Sequence, residues 1–109
     1  MLRSKYGAHK VKTEDGTFDS KKEYKRYLEL KRQEEVGIIK NLGRQVKFLL
    51  IPAQKGKERN ERSCSYKADF VYRKGSTLIV EDVKGVKTPE YIIKRKLMKQ
   101  VYDIEIIEV

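Results

Sequence analysis

The sequence predicts an α/β domain whose elements run helix, three strands, helix, strand. Three observations predict it. Two segments, "SKKEYKRYLELKRQEEVG" at 20–37 and "TPEYIIKRKLMKQVY" at 88–102, carry helix start and stop signals around an apolar stripe. Between them stand three runs of strand formers, "RQVKFLLIP", "SYKADFVY" and "TLIVEDVK". A short apolar run, "DIEIIEV", closes the chain as a final strand. With 109 residues there is room for one domain with a modest core, not for two.

Taken in order, residues 1–17 form a basic arm with a possible short hairpin, and 18–109 form the core. The arm carries Arg3, Lys5, Lys10 and Lys12 with no acid among its first dozen residues, and Asp15-Gly16 is read as its tight turn. In the first helix Ser20 caps and Glu23, three residues on, completes a capping box, while Gly37 marks the end. Tyr24, Tyr27, Leu28 and Lys31 share one stripe; Glu23, Tyr27, Leu30 and Glu34 form the next, which places Glu23 beside the buried face. The polar loop "AQKGKERNERS" between the first two strands reads as a mobile tip. In the second helix Thr88 caps and Pro89 occupies the first turn. Its apolar side is either Ile93, Leu97 and Val101 or Tyr91, Met98 and Tyr102. Tyr66, Phe70 and Tyr72 alternate as packing residues on the second strand.

Composition narrows the partners. The 26 Lys and Arg against 16 Asp and Glu leave a formal charge of +10, which favours a polyanion, nucleic acid first among them. Lys55, Lys57, Arg59 and Arg62 in the polar loop, with Lys94, Lys96 and Lys99 on the second helix, are the candidate phosphate contacts. Cys64 is the only cysteine, so no internal disulfide forms and a reducing, cytoplasmic setting is expected. No segment approaches the ~20 apolar residues of a membrane span.

The third strand ends in Glu81, Asp82, Val83 and Lys84. Residues two apart on a strand share a face, so Asp82 and Lys84 project together and Glu81 points away, toward a lysine of the second helix. If "RKGS" is the turn, Tyr72 pairs with Thr77 and Asp69 lies across from Val80, on the face of Asp82 and Lys84. Two facing carboxylates repel unless a proton or a metal lies between them. Oxygen-only donors favour a hard ion such as Mg²⁺, with Mn²⁺ as an alternative, and such an ion can activate water against a phosphodiester while Lys84 assists.

These residues resemble a known superfamily. The order αβββαβ, with "YKAD" on the second strand and "EDVK" on the third, is similar to the PD-(D/E)XK nuclease core. "FDSKKEYKRYLELK", "YKADFVY" and "VEDVKGVKT" together resemble a phage-encoded family of unknown function that is similar to Holliday junction resolvases. The resemblance runs from Phe18 to the C-terminus. It implies a restriction-endonuclease-like fold, a mixed sheet of about four strands flanked by two helices. It implies catalytic Asp69, Asp82, Lys84 and Glu23, with Asp69, Asp82, Glu23 and the backbone carbonyl of Val83 on the metal. Ala68 stands where the name-giving motif has proline. The implied activity is Mg²⁺-dependent cleavage of DNA, branched DNA especially, by a homodimer in the host cytoplasm. Two other readings stay open: an inactive nuclease fold that only binds nucleic acid, and a basic phage protein that acts on a protein partner. Glu23 likewise keeps two roles, helix cap or metal ligand.

Overall fold

The computed structural model describes residues 9–83 and 85–109. Lys84 and the start of the basic arm, with Arg3 and Lys5, lie outside the described residues. The elements are β1 (Val11–Thr13), β2 (Gly16–Phe18), α1 (Lys21–Glu35), β3 (Lys40–Ile51), β4 (Gln54–Lys55), β5 (Asn60–Glu61), β6 (Cys64–Lys74), β7 (Thr77–Asp82), α2 (Pro89–Tyr102) and β8 (Ile107–Glu108). A four-stranded mixed sheet has the order β3-β6-β7-β8, with β8 parallel to β7 and the other neighbours antiparallel. This is the expected sheet with its two helices. Two small hairpins stand apart from it: β1-β2, and β4-β5 in the polar loop, whose composition alone suggests no regular structure.

The helices form where their caps predict. The Ser20 hydroxyl accepts the Glu23 N–H and the Thr88 hydroxyl accepts the Tyr91 N–H, each satisfying a donor the first turn leaves unpaired. In α1 it is the Glu23, Tyr27, Leu30 stripe that packs inward, so Glu23 lies within the buried face and not beside it. In α2 Tyr91 and Met98 are buried with Leu97 packed against them, while Ile93, Val101 and Tyr102 are exposed, so the apolar side takes members of both expected stripes.

Two clusters make the core. Leu30, Ile39, Phe70 and Tyr72 pack with Tyr27, Ile79 and Val83 on the α1 side. Leu50, Tyr66, Ala68, Val80, Tyr91 and Met98 pack on the α2 side. Adjacent Ile79 and Val80 enter different clusters, which places the helices on opposite faces of the sheet. Phe70 and Leu30 are fully buried, each removal from water contributing about 1.5–3 kcal/mol.

β6 departs from strict alternation. Tyr66 and Ala68 belong to the α2 cluster, yet Phe70 and Tyr72, of the same parity, belong to the α1 cluster. The ladder to β3 passes from Arg44↔Phe70 to Val46↔Ala68 with no pair between, and Gln45 has a left-handed φ of 53°. The faces thus reverse at Gln45 and Asp69, at a backbone cost of about 1–3 kcal/mol for a non-glycine residue in that region.

The turn between β6 and β7 also differs from expectation. Thr77 pairs with Lys74, not Tyr72, because Gly75, at φ 63°, and Ser76 alone make the turn. The register shifts by two residues and keeps its parity. Phe70 lies opposite Glu81, and one further step along the strands brings Asp69 toward Asp82.

Candidate functional site

Glu81 falls on the α1 face, where no lysine of α2 can reach it. Its partner is Arg26, whose Nε donates to Oε1 at 2.8 Å and whose second guanidinium nitrogen donates to Oε2 at 2.7 Å. The Tyr72 hydroxyl donates to the same Oε2. With Glu81 1% exposed, this fork compensates a carboxylate that would otherwise be stranded in the core. Glu81 is therefore structural, and the strand end presents the remaining acid, Asp82, toward the other face. There Tyr66 Oη donates to Asp82 Oδ2 at 2.6 Å. Burial, then this hydrogen bond, raises the Tyr66 pKa, so the phenol stays a donor at all ordinary pH.

Asp69 occupies the face reversal and is held from two sides. Its Oδ2 accepts the Val83 N–H at 2.8 Å, and its Oδ1 accepts Gln45 Nε2 at 3.2 Å. Gln45 Nε2 donates also to Glu23 Oε1 at 3.0 Å, so one amide bridges two carboxylates. Glu23, 2% exposed, takes the Asp19 N–H on Oε2 at 3.1 Å. The bond goes to the residue before the cap and not to Ser20, which leaves Glu23 both an anchor for the helix start and a wall of the site.

One carboxylate oxygen each from Asp19, Glu23 and Asp69 lies within 4.8 Å of the others. They border a cavity of about 270 Å³ lined by Asp19, Ser20, Lys22, Glu23, Asp69, Val83 and Gly85. Burial pushes the Asp69 carboxyl up to about 6, and the nearby charges of Asp82 and Glu23 add to the rise against the Val83 hydrogen bond. Burial likewise raises Glu23. Arg44 leans toward this cluster at 3.9 Å from Glu23 Oε1, its guanidinium stacked 3.6 Å above the Phe18 ring.

The donor set fits a hard divalent cation. All three groups offer oxygen, and a span of 4.8 Å is close to the ~4–5 Å between oxygens on opposite sides of Mg²⁺ or Ca²⁺. The Gln45 amide already performs a cation's task on Glu23 and Asp69, presenting hydrogens to both where like charges would repel.

The sequence-predicted residues divide as follows. Glu23 and Asp69 come together, and Val83 meets them through its N–H. Asp82 neighbours Asp69 electrostatically but is not in the three-acid cluster, its Oδ2 being turned to Tyr66. Lys84 lies outside the described residues. Lys55, Lys57, Arg59 and Arg62 are on or beside the β4-β5 hairpin, the first three in a shallow cavity shared with Glu58 and Glu61. On α2, Lys94 pairs with Glu90 at 3.2 Å and Lys99 with Asp103 at 2.9 Å, while Lys96 and Lys99 border a cavity with Arg95 and Glu105. None of these seven lines the acid cavity.

Three participants escape sequence reasoning. Asp19 stands directly before a helix cap, within the quoted "FDSKKEYKRYLELK" stretch, and that position is the available signal. Gln45 gives none, being an ordinary polar residue in a strand. Tyr66 reads as packing alone, because its alternation with Phe70 and Tyr72 does not show where its hydroxyl ends.

The family model described as "Protein of unknown function (DUF1064)" matches residues 3–107. The chain belongs to this family. The DUF1064 match therefore spans every element of the site, from Asp19 through Gln45 and Asp69 to Asp82. No curated protein and no solved structure matches the chain. No helix among the described residues is long and apolar enough to cross a membrane.

Proposed function

We propose that this protein is a divalent-metal-dependent DNA endonuclease, selective for branched DNA in the manner of Holliday junction resolvases. The observation that carries the reading is the convergence of Asp19, Glu23 and Asp69 within 4.8 Å, beside Asp82, in a chain of net charge +10. Acids cost solvation energy when gathered and buried, and in a basic protein their gathering suits a cation and a polyanion brought together. The resemblance to the PD-(D/E)XK core supports the same site.

Asp69 and Glu23 would hold Mg²⁺, with Asp19, Asp82 and the Val83 carbonyl as further oxygen donors. Bound there, the metal supplies an acidified water and a charge that offsets a phosphorane. Gln45 fixes the spacing of the two carboxylates before metal arrives. Tyr66 holds one oxygen of Asp82 and so sets the orientation of that carboxylate beside Asp69. Lys84, two residues beyond Asp82, assists the attacking water and the developing negative charge. Cutting two strands of a junction symmetrically calls for a homodimer.

The test incubates purified protein with a labelled four-way junction and a matched linear duplex, with Mg²⁺, with Mn²⁺ and with EDTA. Metal-dependent cleavage of the junction that is lost in Asp69→Asn and Lys84→Ala is expected. Equal cutting of both substrates would refute junction selectivity. No cutting of either, with binding intact, would leave a nucleic-acid-binding fold without turnover.

A further inference from the structure

Two cavities meet at the start of α1. The acid cavity is lined by Lys22 and Val83 among others, and a second, of about 240 Å³, is lined by Lys22, Lys25, Arg26, Glu29, Val83 and Val109. Lys22 and Val83 line both, so the two cavities adjoin as a groove divided by this shared wall. It runs from the carboxylates, past the end of β7, along the side of α1 that borders Val83 and Val109.

Charge changes sign along this groove. At the first end stand Asp19, Glu23 and Asp69. Beyond the shared wall come Lys22 and Lys25, three residues apart and therefore on one helix face. Arg26, next to them, is committed to Glu81 and Glu29. Its guanidinium is 2.9 Å from Glu29 and held at both ends, so it braces the groove floor. Glu29 then closes the far end with an acid. The cationic stretch is therefore short and bounded by carboxylates on both sides. α1 also begins here, so its unpaired N–H groups and positive end add to the same field.

We propose that Lys22 and Lys25 form the subsite for the phosphate flanking the scissile one, so that a DNA strand enters along the side of α1 that borders Val83 and Val109. This rests on the nuclease reading for its geometry, since a strand reaching the acids must cross the shared wall. The carboxylates repel a phosphodiester wherever a metal does not offset their charge, and a neighbouring cationic stretch holds the strand in register beside them. The lysines of the β4-β5 hairpin, and Lys96 and Lys99 of α2, line other cavities and are not among the residues lining this path. They anchor the remainder of the duplex, whereas Lys22 and Lys25 set which bond is presented.

The experiment measures binding of the full chain to fluorescently labelled duplex and four-way-junction DNA in EDTA, across a salt series, alongside cleavage in Mg²⁺. Lys22→Ala/Lys25→Ala should bind about tenfold more weakly, with the slope of log K on log salt reduced by about two, one for each lysine that no longer neutralises a phosphate. The equal-charge control Arg73→Ala/Lys74→Ala, next to the β6-β7 turn at the other end of the sheet from Asp82, should bind like wild type. Lys22→Arg/Lys25→Arg should keep both affinity and slope, and matching thermal unfolding curves exclude a folding defect. Wild-type affinity and slope in Lys22→Ala/Lys25→Ala would overturn the proposal, and so would an equal loss in the control. Loss of binding in that variant when wild type cuts nothing in Mg²⁺ would uphold the groove and remove the enzyme, which separates the two failures.

Discussion

The backbone N–H of Val83 donates to Asp69 Oδ2 at 2.8 Å, which ties the β6 carboxylate to the end of β7. Because Gln45 takes the other oxygen, Asp69 cannot rotate away from the cavity without breaking two hydrogen bonds. A rigid carboxylate in a half-buried site is costly for folding and useful for binding a cation.

That cost has a sign. Burial raises the Asp69 carboxyl from its ordinary value to about 6, so folding favours the protonated form. The stabilising contribution is complete below about pH 4 and is lost as pH rises through 6. Wild-type stability, relative to Asp69→Asn, should therefore fall between pH 4 and pH 6.5 and then level off. Thermal unfolding of both proteins across that range checks it; parallel curves would show that the carboxyl carries no such shift.

Metal binding should oppose the same trend. A cation needs Asp69 ionised, so its apparent affinity should rise about tenfold per pH unit below 6 and flatten above. In Mg²⁺ or Mn²⁺ at a hundred times its dissociation constant the protein should gain about 2.7 kcal/mol, an increase that EDTA removes. Glu23→Gln should weaken the affinity measured by calorimetry. An unfolding temperature indifferent to either metal would count against the three-acid site.

Arg26→Ala leaves Glu81 buried with only Tyr72 as partner. The expected loss is about 3–5 kcal/mol, read from urea unfolding. Arg26→Met/Glu81→Gln should recover much of it, since no unpaired charge then stays in the core. A loss below about 1 kcal/mol in Arg26→Ala would mean that water reaches the carboxylate.

Two of the buried tyrosines should separate stability from chemistry. Tyr66→Phe and Tyr72→Phe each remove one hydroxyl from a buried carboxylate, at about 1.5–3 kcal/mol. Of the two, Tyr66 is the one bonded to Asp82, so only Tyr66→Phe should slow cleavage, by roughly tenfold. Equal rates in both variants would detach Tyr66 from the site.

Much of this molecule is legible in local pattern. Ser20 and Thr88 fix both helix starts, because a hydroxyl at that place satisfies a specific N–H whatever the rest of the chain does. The runs at 44–52, 65–72 and 77–84 read as strands because their side chains suit a pleated sheet, and β3, β6 and β7 lie on them. Parity sends Glu81 and Asp82 to opposite faces, and a register error of two residues leaves that result unchanged. Parity does not say which helix covers which face, so it suggests a lysine of α2 for Glu81 where the fold supplies Arg26 of α1. Nor does it foresee the reversal at Gln45 and Asp69, which depends on a left-handed residue in one strand meeting an interruption in its neighbour. Local pattern reports what each residue prefers alone. The gathering of Asp19, Glu23, Gln45 and Asp69 is a matter of how separate elements meet, which no local pattern encodes.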